Sequence, residues 1–217
     1  MLYQKNRAKE LDTALFKNPT SEYRGAPFWS WNCKLTKGLL EKEIIDLKDM
    51  GFGGFHMHVR AGLQTPYLSD EFMDFIKFCQ QKAEKEDMLA YLYDEDRWPS
   101  GYAGGFVTKN PKYREKCLRF TTRKLPADPK DEAVEKGLTY LFACYDIILS
   151  DDGGLVSSRV IDEDEEAVGF KRYAYVEASR PSERYNYQTR VDSLCKEAVD
   201  KFLEITYEAY KKHVGDK

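Results

Sequence analysis

The chain lacks an excess of either charge: 34 lysines and arginines stand against 37 aspartates and glutamates, a formal net charge of −3 over 217 residues. A nucleic-acid or anionic-membrane partner needs a basic stripe to meet its phosphates, so neither partner is expected. Cysteine is sparse and unpaired in pattern. Cys33, Cys79, Cys117, Cys144 and Cys195 are odd in number, far apart and without a CxxC. That suits reduced thiols in a cytoplasm better than a disulfide framework or a zinc site. No apolar run approaches a membrane span, and the N-terminal stretch MLYQKNRAKELDTALF has no signal-peptide core, so a soluble cytoplasmic protein is expected. There is no GxSxG and no histidine placed beside a cysteine, which sets nucleophilic Ser or Cys chemistry aside. GFGG at 51–54 precedes a strand, whereas a phosphate-binding loop follows one. Internal sequence repeats, low-complexity tracts and long flexible linkers are missing as well.

What the sequence does have is aromatic residues, 14% of the chain with 15 Tyr and 3 Trp, a composition compatible with stacking on flat ligands. Tyr91, Tyr93, Trp98 and Tyr102 lie in LAYLYDEDRWPSGYAGG, Leu89 to Gly105. Leu89 to Tyr93 is apolar in the manner of a buried strand, and Pro99, Gly101, Gly104 and Gly105 then forbid regular structure. Asp94, Glu95, Asp96, Arg97 and Trp98 therefore sit where strand becomes loop, which is where open α/β sheets and barrels bind ligands. A loop that merely turned the chain would seldom carry Trp and Arg beside three acids.

The remainder of the first half repeats one unit. PFWSWN, Pro27 to Asn32, reads as a strand with Phe28, Ser30 and Asn32 on one face and Trp29 and Trp31 on the other. Thr36 is an N-cap, Leu40, Ile44 and Leu47 follow at helical spacing, and Gly51 stops the helix. GGFHMHV is the second strand. Its period of two sets Gly54, His56, His58 and then Arg60 on one face and Phe55, Met57 and Val59 on the other. Ser69 caps a second helix whose buried stripe is Phe72, Phe75, Ile76, Cys79 and Ala83. Three strand–helix repeats predict a parallel α/β fold, either barrel or doubly wound sheet.

From Cys117 the pattern changes to strands without helices: 117–125, 138–149, 155–161 and 170–178, the middle two joined by a turn at Ser150 to Gly154. We expect 1–115 to be the first part of the α/β domain, 116–181 an antiparallel β insertion and 182–217 the domain's continuation. Asp162 to Glu166, DEDEE, reads as a solvated turn. YNYQTRV, 185–191, is a candidate fourth strand, and a helix follows from the N-cap Asp192. This makes about four βα units, half of a closed eight-stranded barrel of about 250 residues.

RGAPFWSWN, MGFGGFHMHVRAGLQTPYLS, YLYDEDRWPSGYAGG and VDSLCKEAVDKFLEITYEAYKK resemble, in order and spacing, the N-terminal part of glycoside hydrolases of the α-L-rhamnosidase-like type, family 106 and its uncharacterised bacterial relatives. The four blocks span nearly the whole chain. The resemblance implies a partial (β/α)8 TIM-type barrel, with the insertion after its third strand, hydrolysing O-glycosidic bonds. Two departures stand out: the family's barrel continues into a strand bearing an Asp-Glu-Pro motif, which has no counterpart before Lys217, and its late helix has His where this chain has Tyr207. The chain taken alone is accordingly expected to be incomplete as a glycosidase, to self-associate or to rely on a C-terminal half.

Glycoside hydrolysis uses two carboxyl groups, about 5–5.5 Å apart for retention and roughly 6.5–9.5 Å for inversion. Asp94 and Asp96 are the candidates on one face, with clamping of sugar hydroxyls, ahead of capping of the turn, as the other roles open to them. Asn32, Trp31, His56, His58, Arg60, Glu95, Arg97 and Trp98 are the expected substrate-binding residues, with a saccharide as partner. No cofactor is required, although carboxylates in such a loop also suit a hard divalent cation. Two alternatives remain: a metal-dependent hydrolase in which the His56/His58 pair and an aspartate hold a water-activating metal, and a non-catalytic sugar-binding module.

Overall fold

The computed structural model describes residues 9–125, 130–183 and 187–215. It divides into two compact units, residues 1–106 with 200–217 and residues 107–199. Among the described residues no helix is long and apolar enough to cross a membrane.

The first unit is built from local signals that agree with one another. A short helix α1, Thr13–Lys17, is capped by Asp12 and followed by strand β1, Phe28–Trp31. Thr36 Oγ1 then accepts the amide of Leu39 at 3.2 Å and starts helix α2, Lys37–Asp49, which buries Leu40, Ile44 and Leu47. Strand β2 is Gly54–Val59. Ser69 Oγ accepts the amide of Phe72 at 3.2 Å to open α3, Asp70–Lys85. Asp70 and Glu71 in its first turn and Lys82 and Lys85 in its last both complement the helix dipole. Strand β3, Leu89–Leu92, completes the unit's sheet.

The three strands are parallel in the order β1-β2-β3. Register sets Phe28 opposite His56 and His56 opposite Tyr91, so period-two alternation gives the sheet two unlike faces. Trp29, Trp31, Phe55, Met57 and Val59 pack against Leu40, Ile44, Phe72, Met73, Ile76 and Cys79 to form the core. The opposite face carries Phe28, Ser30, His56, His58, Tyr91 and Tyr93. Burial pushes the Cys79 thiol well above its usual range, as expected of a cysteine that packs as an apolar side chain.

The expected partial TIM-type barrel of about four βα units is not what forms. The parallel sheet has three strands and no contiguous barrel pattern, and a separate four-stranded antiparallel sheet lies between β3 and the last helices in the chain. The fold class is mixed α/β. The expected fourth strand begins at Tyr185 and Asn186, outside the described residues; its remainder makes only single bridges, Gln188 to Ser182 and Val191 to Arg114. Gln188, Thr189 and Arg190 offer no apolar alternation to hold a strand against a core, so the register that would extend the sheet has nothing to fix it.

In the second unit β4, Lys116–Thr121, a one-turn helix α4, Glu132–Glu135, β5, Tyr140–Leu149, β6, Leu155–Ile161, and β7, Phe170–Ala178, follow in turn. The strand order is β4-β7-β5-β6, all antiparallel. Ser150 Oγ donates to Asp152 and Gly154 in the β5–β6 turn. Asp162 to Glu166 forms a turn held by Glu165, which pairs with Arg159 at 2.6 Å. Helix α5, Lys196–Ile205, and helix α6, Tyr207–Val214, follow, with Thr206 between them folding its hydroxyl onto the carbonyl of Phe202 at 2.7 Å.

Candidate functional site

The exposed face of the parallel sheet is a shelf of five rings. Phe28, 67% exposed, has its ring centroid 5.1 Å from that of His56 and 5.0 Å from that of His58. Tyr91 stacks on His56 at 4.6 Å, and Tyr93 meets His58 edge-on at 4.0 Å. All five lie on one face because the strands are in parallel register and the side chains alternate. A carbonyl only accepts, so the 3.2 Å contact of His56 Nδ1 with Ala26 O places the proton on Nδ1 and leaves Nε2 as an acceptor in the neutral ring. His58 is buried, and burial, then Arg60, then His56 lower its pKa, so it is neutral at pH 7. Its Nδ1 has no hydrogen-bond partner among the described residues.

The three consecutive acids after β3 diverge. Asp94 is half-buried and held at both oxygens: Ser100 Oγ donates to Oδ1 at 2.6 Å and Tyr207 Oη to Oδ2 at 2.9 Å. The same bond to Asp94 is the first cause of the raised pKa of Tyr207. Glu95 is fully buried. Its Oε1 accepts the amides of Asp96 at 2.8 Å and Gly104 at 2.6 Å, and its Oε2 those of Gly101 at 2.9 Å and Ala103 at 2.8 Å. Burial pushes its pKa up to about 7 while the four amides pull it down. Asp96 is 8% exposed, with Arg97 Nε 3.8 Å from its Oδ2. Gly104, at φ 61°, leaves room for this loop: a Cβ there would stand 2.9 Å from Cδ1 of Tyr67.

Beside β3, helix α6 supplies the other wall of a cleft of about 550 Å³ lined by Tyr93, Asp94, Tyr207, Glu208, Tyr210 and Lys211 among others. Tyr210 Oη donates to the carbonyl of Tyr93 at 2.9 Å and fixes helix to strand. A second cavity, of about 650 Å³, lies at the opposite ends of the strands, lined by Ser21, Arg24, Lys48 and Glu86 among others. Lys48 and Lys82 both pair with Glu86 at 2.8 Å and hold its carboxyl down to about 2.

His56 and His58 share one face of the parallel sheet, Asp94 follows β3 at the strand ends, and Arg60 and Trp98 are exposed in the segments after β2 and β3. Asn32 stands exposed beside Arg60, the residues that follow the paired Trp31 and Val59. Trp31 is elsewhere: that ring is 1% exposed and lies in the core, edge-on to Trp29 and Phe72. Glu95 is turned inward, and Arg97 is half-buried beside Asp96. Phe28, Tyr91, Tyr93 and Ser100 lie beside His56, His58 or Asp94 and were not singled out as binding residues from sequence. The alternation that selected His56 and His58 also selects Phe28 and Tyr91, so that signal was available; Tyr207 stood out from sequence only as a departure from the family pattern, and its pairing with Asp94, 113 residues away, had no signal. Among the described residues no group of three or more His, Cys, Asp and Glu is placed to hold a metal ion.

No family model matches the chain, and no curated protein matches it. Among solved structures it is similar to a rhamnosidase from Novosphingobium sp. PP1Y, at 21% identity and a TM-score of 0.42 over 66% of this chain. The chain spans 17% of the length of that protein.

Proposed function

We propose that the protein is of the glycoside hydrolase type and that the strand-end face of its parallel sheet binds a saccharide, with O-glycosidic bonds as the target and α-L-rhamnosides among the substrates to try. One observation carries this reading: an exposed phenylalanine framed by two histidines, with Asp94 fixed by Ser100 and Tyr207 at the end of the same sheet. A sugar offers a C–H face to rings and hydroxyls to fixed acceptors, and this arrangement supplies both. Asp94 is the carboxylate proposed to meet the ligand, and Asp96 is the second acid proposed for hydrolysis. The four sequence blocks that resemble the rhamnosidase-like family add to the reading.

Calorimetric titration with aryl glycosides, α-L-rhamnosides included, tests it. Phe28→Ala and Asp94→Asn should each weaken binding by about tenfold or more, the effect of losing one buried ring contact or one charge-assisted hydrogen bond. Wild-type protein that binds no saccharide overturns the reading. Turnover that disappears in Asp94→Asn or Asp96→Asn assigns the chemistry to these acids, and binding without turnover reduces the function to a sugar-binding module. Elemental analysis of protein purified without chelator tests the metal-dependent alternative.

A further inference from the structure

Glu95 stands in the middle of the acidic run and is out of reach of any ligand. Two carboxylate oxygens offer four in-plane lone-pair positions, and four backbone amides, from Asp96, Gly101, Ala103 and Gly104, occupy them. Those amides converge because the chain winds through positive φ at Gly101 (131°), Ala103 (51°), Gly104 (61°) and Gly105 (98°), a path that turns successive N–H groups toward one point. Ala103 carries a steric penalty there that glycine would not, and it persists only because something overdetermines the loop. The titratable groups around Glu95 come from every neighbouring element: Tyr93 after β3, Tyr67 ahead of α3, Tyr102 in the loop itself and Tyr210 on α6, with Asp94, Asp96 and Arg97 flanking it in the chain.

We propose that Glu95 is the positioning residue of this site: by gathering the amides of 96–104 around one buried carboxyl group, it sets where Asp94, Trp98 and Ser100 stand for a ligand. The organisation of the loop follows from the hydrogen bonds alone; its consequence for saccharide binding rests on the function proposed above. Side chains of consecutive residues diverge, so anchoring Glu95 inward leaves Asp94 free to meet Ser100 and Tyr207. No other side chain substitutes. Glutamine carries one acceptor oxygen and presents N–H donors to two of the four amides, and aspartate is one methylene too short to reach all of them.

Tryptophan fluorescence reads this out without any ligand, because Trp29 and Trp31 are 9% and 1% exposed while Trp98, in the loop, is 59% exposed. Glu95→Gln, which turns N–H donors toward two of the four amides, should raise acrylamide quenching above the wild-type level and weaken saccharide binding by about tenfold or more. Glu95→Asp should fall between the two proteins in both readouts. A Glu95→Gln protein with wild-type quenching and affinity overturns the proposal. If Glu95→Gln does not fold, Glu95→Asp decides: wild-type quenching and affinity in that protein overturn the proposal. If no saccharide binds but Glu95→Gln raises the quenching, the function proposed above fails and the positioning of the loop stands.

Discussion

The two sheets treat their faces differently. In the first unit, strands joined through helices bury Trp29, Trp31, Phe55, Met57 and Val59 beneath α2 and α3, and the other face carries the rings and the acid loop. In the second, strands joined largely by hairpins and loops leave Leu118, Phe120, Val160 and Phe170 exposed on one face, Val160 at 66%. A parallel connection has to cross over, and the crossover helix covers the face it crosses. An antiparallel hairpin brings no such cover. The first unit thus owns a dry core that fixes three strands in register, and its strand ends become a place where side chains distant in sequence are held in fixed positions. The second unit's buried apolar residues are mostly small, Val107, Ala133, Cys144, Ala174, Ala178 and Ala198 beside Ile161 and Tyr175.

If the stability of the first unit resides in that core, Phe72→Ala should have the largest effect. Phe72 is fully buried against Trp31 and Tyr67, and its loss should cost about 3–5 kcal/mol in urea denaturation. A cost under about 1 kcal/mol would mean that the core does not have the packing described. Gly104→Ala comes next, at about 1–3 kcal/mol, because a Cβ at φ 61° would press on the ring of Tyr67. Its signature is a rise in Trp98 quenching together with the loss of stability. Removing the cap of α3 with Ser69→Ala should cost about 1 kcal/mol, read from the same denaturation curves. Smallest is Val160→Ala on the open face of the antiparallel sheet, expected within about 0.5 kcal/mol of wild type. A large effect there would show that this face is covered in solution and would erase the contrast between the sheets.

Much of the first unit could be read from the chain because its signals are local. Thr36 and Ser69 cap helices as their positions suggest, and the alternation in PFWSW and GGFHMHV sorts core from open face. The β5–β6 hairpin likewise follows from its turn residues. Sheet closure was not legible, since whether a polar stretch such as 188–191 joins a sheet depends on the edge it meets, and that edge is assembled from residues far away in sequence.

Within the site the sequence determined that Asp94, Glu95 and Asp96 fall at a strand end, and that His56 and His58 share a face. Tertiary structure alone decided what each acid does. Three adjacent carboxyl groups of the same chemistry look alike in sequence. One meets a hydroxyl 113 residues away on Tyr207, one takes four amides from the loop that follows it, and one sits nearly buried beside Arg97. The physical reason is that a carboxylate's role is set by the donors that reach it and the water it loses, and both depend on how the chain returns to that point.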